Sequence, residues 1–150
     1  MNRQLVHSEM DSERRLLEFI RISSEVVTAI NTHAQQDLPN EACGYLAGKD
    51  GFITKCYPLT NIDASPEHFA FDPAQQFNAK KSARQEGLDI IANYHSHPET
   101  PARPSQEDIR LAYDPDIYYL IISLAGDQPE LKAFRIINGE VNKIDIQINI

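Results

Sequence analysis

Two histidines and an aspartate lie close together in the second half of the chain. Residues 95–108 read HSHPETPARPSQED, with His95, His97 and Asp108 as candidate metal ligands. Alternate side chains of an extended segment face the same way, so the two imidazoles can reach one cation. Asp108 falls in the first turn of a helix that Ser105 can cap. Two imidazoles and a carboxylate leave a fourth tetrahedral position open, which is typical of catalytic zinc. The pattern predicts one zinc ion per chain.

Hydrolysis at such a centre also needs a general base. Zinc lowers the pKa of a bound water to about 7 and polarises a scissile carbonyl, but a carboxylate must carry the proton to the leaving amine. Glu41, just before the apolar segment 43–47, is the best candidate. Glu99 and Glu107, beside the ligands, are the next candidates. Separation along the sequence does not show whether Glu41 reaches the site.

Each of these residues also has an ordinary structural explanation. A His-x-His pair alone is weak evidence for a metal. Ser105 and Asp108 have the spacing of a capping box, which would only stabilise a helix. A single Glu41 is ordinarily a solvated carboxylate. The enzymatic rival is a thiol nucleophile, with Cys43 attacking and a histidine as base.

The remaining histidines and cysteines have weaker signals. His7, His33 and His68 have no partner at ligand spacing, so we expect surface or packing roles for them. Cys43 and Cys56 lie on the two arms of a predicted hairpin and can approach each other. Thiols of cytosolic proteins usually stay reduced, and the sequence leaves their pairing open.

Composition narrows the class of protein. A chain of 150 residues with 41% hydrophobic content can bury the core of one domain without disulfides. Its net charge of -8 disfavours nucleic acids and anionic membranes as partners. Residues 1–15 have no apolar segment of the kind a signal peptide needs, and the longest apolar stretch, 117–126, is too short to cross a bilayer. We therefore expect a soluble, cytoplasmic protein.

Local sequence patterns predict the strands and helices that must position these residues. Residues 1–15 are predicted to be a loose tail and residues 16–150 a single domain. The patterns predict strands at 16–22, 43–47, 52–57, 68–71, 88–94, 117–124, 131–137 and 141–148. Helices capped by Ser23 or Ser24, by Asp72 and by Ser105 are predicted to reach about Gln36, Gln85 and Tyr113. This order favours an α/β or α+β domain built on one sheet, and we expect the α/β form, with one mixed β-sheet sandwiched by helices.

Taken together, the motifs resemble those of the JAMM (MPN+) metallopeptidase family. The resemblance rests on His-x-His-Pro at 95–98, Ser-x-x-Asp at 105–108, and Glu41 before a Cys-Gly-x-Leu segment at 43–46. It covers residues 16–148 and implies the MPN, cytidine-deaminase-like fold. It also implies His95, His97 and Asp108 as zinc ligands, Glu41 as general acid and base, and Ser105 as the hydroxyl that stabilises the oxyanion.

The resemblance also implies a class of substrate. Members of this family cleave after the C-terminal glycine of ubiquitin-like proteins, and this short chain is similar to stand-alone bacterial and archaeal members that act on ubiquitin-like or sulfur-carrier proteins. One alternative is a non-catalytic MPN-type scaffold that binds proteins. Another is hydrolysis of a small-molecule amide or a cell-wall peptide. The sequence sets neither the identity of the carrier nor the oligomeric state.

Overall fold

The computed structural model describes residues 19–150, so the predicted tail at 1–15 lies outside the described residues. The strands within this range are β1 Phe19–Ser23, β2 Cys43–Lys49, β3 Phe52–Leu59, β4 Asp89–His97, β5 Tyr118–Ser123, β6 Glu130–Ile137 and β7 Glu140–Asn149. Its helices are α1 Ser24–Gln36, α2 Pro73–Gln85 and α3 Gln106–Arg110. The predicted strands and helices therefore occur in the predicted order, with one exception described below.

The strands form one mixed sheet in the order β1-β3-β2-β4-β5-β6-β7. β4 lies between the antiparallel β2 and the parallel β5. β1 pairs in parallel with both β3 and β7, which closes the sheet on itself. A mixed sheet with helices was predicted, whereas its closure through β1 was not.

Two tight turns lie at the Asp-Gly and Asn-Gly pairs, where the sequence predicts them. Asp50 and Gly51 join β2 to β3 with φ angles of 50° and 76°. Asn138 and Gly139 join β6 to β7 with φ angles of 52° and 81°. Positive φ at both central residues is what a type I′ hairpin requires, and Asp-Gly and Asn-Gly supply it at low steric cost.

Helices α1 and α2 pack against opposite faces of β2. Val26, Ile30 and Ala34 of α1 join the main core around Leu46. Ala79 of α2 packs beside Tyr45, which points to the other face because successive strand residues alternate. Helix α2 therefore lies on the face of the sheet to which Tyr45 points, and every second residue of the neighbouring β4 points to the same face.

Three differences from the predictions are larger than a shift of two residues at the end of an element. Residues 68–71 are not a strand, because the side chain of Asn61 accepts from the Ala70 N–H and donates to the His68 carbonyl in place of a neighbouring strand. The third helix ends at Arg110 instead of Tyr113. Ile109 packs partly against a core cluster, but Leu111 and Tyr113 in the next turn are 44% and 80% exposed, so little apolar contact stabilises a longer helix. Strand β4 extends past Tyr94 to include the His-x-His segment.

No helix among residues 19–150 is long and apolar enough to span a membrane.

Candidate active site

The last residues of β4 orient the two histidines. His95 and His97 are 3% and 5% exposed and share one face of the strand. The Nδ1 atom of His97 lies 2.8 Å from the carbonyl oxygen of Pro101. A carbonyl can only accept, so Nδ1 carries the proton and the lone pair of neutral His97 lies on Nε2, which faces the site. Metal-binding imidazoles commonly donate a hydrogen bond of this kind from the ring nitrogen that faces away from the metal.

Asp108 is oriented by the cap of α3. The Oγ atom of Ser105 accepts a hydrogen bond from the Asp108 N–H at 3.0 Å, and the Oδ2 atom of Asp108 accepts from the Ser105 N–H at 2.9 Å. The capping box that the spacing allowed is therefore present. Because the same Oδ2 atom faces both imidazoles, capping and metal binding are compatible roles for this pair.

Three donor atoms converge on one point. The Nε2 atoms of His95 and His97 are 3.1 Å apart, and each lies 3.1 Å from Oδ2 of Asp108. Donors at the usual distances of about 2.0–2.1 Å from a tetrahedral zinc are separated by about 3.3 Å. If both nitrogens instead carried protons toward Asp108, two donors would face each other at close range. The donor set and its spacing therefore fit a zinc ion.

The charges at the site favour a cation. Burial alone would raise the pKa of Asp108, but the adjacent imidazoles of His95 and His97 outweigh it and hold the pKa below its usual range. Burial lowers the pKa of His95 despite the nearby carboxylate, which favours the neutral imidazole that a metal requires. For His97, the effect of burial is outweighed by the nearby Asp108 carboxylate and the Pro101 carbonyl, which favour the protonated ring, so its pKa lies above the ordinary value.

Strand β2 brings Glu41 to the same point. Cys43 pairs with His95, and the N–H of Ser96 donates to the Ala42 carbonyl at 2.9 Å, so continuing this register puts Glu41 opposite His97. Glu41 is 5% exposed, and its Oε1 atom has no hydrogen-bond partner within residues 19–150. Burial raises the pKa of Glu41 to about 8, while His97 acts to lower it and Asp108 to raise it. This carboxyl group can therefore exchange a proton near neutral pH.

Two further polar residues hold the backbone around Glu41. The Glu41 carbonyl accepts from Nδ2 of Asn61 at 3.0 Å, which ties it to the loop after β3. The Oγ atom of Ser96, the residue between the two histidines, accepts from the N–H of Ala42 at 2.7 Å. The sequence did not reveal either role, because both depend on strand pairing between distant segments.

An aromatic residue that the sequence did not single out supports His95. The ring of Phe69 stacks on the imidazole, with centroids 4.6 Å apart and an interplanar angle of 24°. This contact limits the rotation of His95, whose Nδ1 atom has no hydrogen-bond partner in the described range. Phe69 belongs to a loop in the structure, so no periodic pattern marks it.

A cavity of about 440 Å³ adjoins the donor atoms. Its walls include His95 and Asp108, and Gln76 and Lys80 of α2 line it as well. Five aromatic residues also line it: Tyr45, Phe69, Phe71, Tyr113 and Tyr119. A mostly apolar cleft with a few polar groups beside a reactive centre is the usual form of a substrate site.

The other histidines have structural contacts. His33 lies between Tyr94 and Asp37, with Nδ1 2.7 Å from the tyrosine Oη and Nε2 3.1 Å from the aspartate Oδ2. His68, exposed at the surface, contacts Glu107 at 2.7 Å and so joins the loop after β3 to α3. Packing and surface roles were predicted for both, whereas His7 lies outside the described residues.

Both cysteines are free thiols, so Cys43 and Cys56 do not pair. Burial, with the nearby carboxylates adding to it, raises the pKa of Cys43 to about 12. A thiol nucleophile acts as the thiolate, which such a pKa suppresses at neutral pH. The geometry therefore disfavours the thiol mechanism.

Comparison with known proteins identifies the family to which the chain belongs. Residues 23–137 match the family model described as prokaryotic homologs of the JAB domain. The chain belongs to this family. The CysO-cysteine peptidase of Mycobacterium tuberculosis is 33% identical to this JAB chain over 130 residues, which are 85% of the chain and 89% of the relative.

Two further proteins extend the comparison. The Desampylase of Haloferax volcanii is 32% identical over 114 residues, covering 71% of the JAB chain and 82% of the relative. A solution structure of a Desulfitobacterium hafniense protein superimposes with a TM-score of 0.81 at 47% identity, covering 87% of the JAB chain and 92% of the other. The names of the two relatives support a hydrolase.

Proposed function

We propose that this JAB chain is a zinc-dependent peptidase that cuts a peptide or isopeptide bond after the C-terminal Gly-Gly of a ubiquitin-like or sulfur-carrier protein. The observation that carries the proposal is the convergence of three donor atoms, from His95, His97 and Asp108, beside the buried carboxyl group of Glu41. A protein that only bound a partner would not need an unpartnered acid next to a metal-binding set.

Each residue has a role in the proposed reaction. A zinc ion held by the three donors supplies the Lewis acidity that polarises a carbonyl and lowers the pKa of water to about 7. Glu41 accepts a proton from the attacking water and delivers it to the leaving amine. The Ser105 oxygen already accepts from the Asp108 N–H, so its hydroxyl hydrogen is free to donate to the developing oxyanion.

The proposed substrate class rests on two observations. One relative is named for CysO-cysteine and another is a Desampylase, and both cover most of their length in the alignment. The cleft beside His95 is lined by aromatic rings. A tail ending in glycines can pass such walls and approach the donors closely, because glycine has no Cβ to collide with them.

The substrate is tested by mass spectrometry of sulfur-carrier and ubiquitin-like proteins that carry residues beyond Gly-Gly. We expect a single cut after the second glycine with the zinc-loaded protein. The matched substrate has Ala-Ala in place of Gly-Gly, and the matched enzyme carries Glu41→Gln. Both controls should leave the carrier intact. Cleavage of casein without cleavage of any Gly-Gly carrier would contradict the proposal.

A further inference from the structure

The outer face of α2 is basic in an otherwise acidic protein. The helix has three cationic residues, Lys80, Lys81 and Arg84, and no acidic residue among its 13 positions. The whole chain has a net charge of -8. A cluster of one sign on a chain of the opposite sign creates a local potential that the total charge does not reveal.

These cations share one side of the helix with an exposed aromatic ring. At about 100° per residue, Lys80, Arg84, Phe77 and Lys81 fall within an arc of about 100°. All four are exposed, and Phe77 is 67% exposed. Ala79 and Ala83 are the buried residues of the helix and face the sheet. The exposed stripe therefore has an apolar centre with positive charges around it.

In the part of the chain that the structure describes, no carboxylate neutralises the cations of this stripe. Within residues 19–150, Lys80, Lys81 and Arg84 form no ion pair. Four other cations of the same range do pair with carboxylates: Lys49, Lys55, Arg110 and Lys132. A basic surface that leaves its charges available can bind a complementary acidic surface.

The stripe continues into the cleft. Lys80 belongs to the stripe, and Gln76 lies beside it on the same edge of α2. Both line the cavity that His95 and Asp108 also line. A body docked on the stripe would therefore hold its own extended segment at the mouth of the cleft. This continuity relates the basic surface to the substrate of the same site.

We propose that Phe77, Lys80, Lys81 and Arg84 form a docking surface for an acidic patch on the folded body of the carrier protein whose tail enters the cleft. The inference rests on the proposed function. Phe77 supplies the apolar anchor, and Arg84 can bind a carboxylate with two parallel hydrogen bonds. Anionic membranes and nucleic acids fit less well, because neither has a polypeptide tail that could enter the adjoining cleft while its charges contact the stripe.

The kinetic consequence is specific to a folded substrate. Long-range attraction between the stripe and an acidic patch raises the rate of association and is weakened by salt. It does not act on the chemical step. Reversing a charge in the stripe should therefore raise KM for the folded carrier, with a smaller effect on a short peptide that has only the tail sequence.

The test compares Lys81→Glu with Lys143→Glu, which makes the same charge change at an exposed position of β7. The substrate is a sulfur-carrier protein of net negative charge with residues beyond Gly-Gly. At low salt, we expect Lys81→Glu to lower kcat/KM for this carrier about 10-fold more than for its tail peptide. The difference should shrink in high salt, and Lys143→Glu should behave like the wild type. Phe77→Ser should also lower kcat/KM more for the folded carrier than for the tail peptide, but this difference should not depend on salt.

A binding measurement separates this inference from the proposed function. Glu41→Gln protein is titrated with the same carrier, with and without Lys81→Glu. Weaker binding in the Lys81→Glu protein supports the docking surface even if no cleavage is found, in which case only the proposed function fails. Equal affinity of both proteins for the carrier overturns the docking surface. A loss of affinity with Lys143→Glu as large as the loss with Lys81→Glu also overturns it. Binding of RNA or anionic vesicles that depends on Lys81, in place of carrier binding, also overturns it.

Discussion

One carboxylate oxygen links the cap of a helix to the two imidazoles. Oδ2 of Asp108 accepts from the Ser105 N–H and lies 3.1 Å from the Nε2 atoms of His95 and His97. The cap therefore limits the motion of a candidate ligand, and Ser105 is held within the same unit. At this scale, the roles of Glu41 and Ser105 can be separated by single substitutions.

Glu41→Gln should abolish hydrolysis while leaving metal and fold in place. The amide preserves the volume of the side chain but removes the oxygen that accepts the proton. General acid and base catalysis contributes about 100- to 10,000-fold, so we expect a loss of that order in kcat. Metal content and turnover are measured on the same preparation.

The other outcomes for Glu41→Gln are equally informative. Turnover at the wild-type rate would move the base elsewhere, and Glu99 or Glu107 would be tested next. Loss of zinc would make Glu41 a ligand. His97→Ala is the contrasting variant, because it should lose metal and activity together.

Ser105→Ala should affect turnover and stability separately. Loss of an oxyanion donor lowers kcat by roughly two to three orders of magnitude, and loss of a helix cap costs about 1 kcal/mol. Ser23→Ala is the matched control, since Ser23 caps α1 by accepting from the Val26 N–H. We expect a similar loss of stability there with little change in kcat. A Ser105→Ala protein that is destabilised but fully active would leave only the capping role.

At the scale of elements, β2 must approach β4 closely for Glu41 to face His97. Gly44 permits this approach, because the ring of the fully buried Tyr94 lies where a Cβ would project. His33 of α1 contacts the Tyr94 hydroxyl at 2.7 Å and restricts the ring from the other side. The glycine of the Cys-Gly-x-Leu segment therefore has a packing role next to the site.

Gly44→Ala should destabilise the protein strongly. The new Cβ would lie 2.5 Å from the carbonyl oxygen of Tyr57 in β3, and neither this backbone nor the buried tyrosine ring can move freely. Overpacking of this kind costs about 1–3 kcal/mol or more. Denaturant unfolding measures the change. Gly126→Ala is the control, because its Cβ would meet only an atom at 3.8 Å, and we expect a change within about 0.5 kcal/mol. Equal stabilities for the two variants would contradict the packing role.

At the scale of the whole molecule, a metal would join two separate parts of the chain. The histidines end β4 inside the sheet, whereas Asp108 belongs to α3, none of whose residues is buried. Any metal that binds the native state and not the unfolded chain shifts the folding equilibrium toward the native state. The proposed zinc site therefore predicts a measurable change in thermal stability.

Chelation should lower the Tm of the wild type. Zinc at a concentration 100-fold above its Kd stabilises by about 2.7 kcal/mol, which corresponds to roughly 5–10 °C for a chain of this size. Scanning calorimetry with and without chelator measures the difference. His97→Ala should show no response to chelator, whereas His68→Ala, a surface histidine, should respond like the wild type. A wild-type Tm that is indifferent to both zinc and chelator would contradict the metal site.

Local signals predicted the elements well where a few neighbouring residues decide them. Asp72 caps α2 as predicted, and Ser23, one of the two predicted candidates, caps α1. Both helices end where predicted, at about Gln36 and Gln85. The predictions were wrong where contacts with distant parts of the chain decide the local structure. Residues 68–71 have strand-like composition, yet the side chain of Asn61 takes their hydrogen bonds. The third helix has a well-formed cap, but Leu111 and Tyr113 beyond its end are exposed, so their packing does not extend it.

The sequence by itself predicted the candidate donor set and determined the hairpin turns and most of the order of strands and helices, because residue types, caps and alternation act over a few positions. Only the tertiary structure decided that Glu41 lies opposite His97, that Phe69 stacks on His95, and that the basic side of α2 adjoins the cleft. These relations depend on strand register and sheet closure, which pair residues far apart in the chain, such as Ala42 and Ser96 at a separation of 54. Register follows from the packing of whole faces of the sheet, and no short stretch of sequence contains that information.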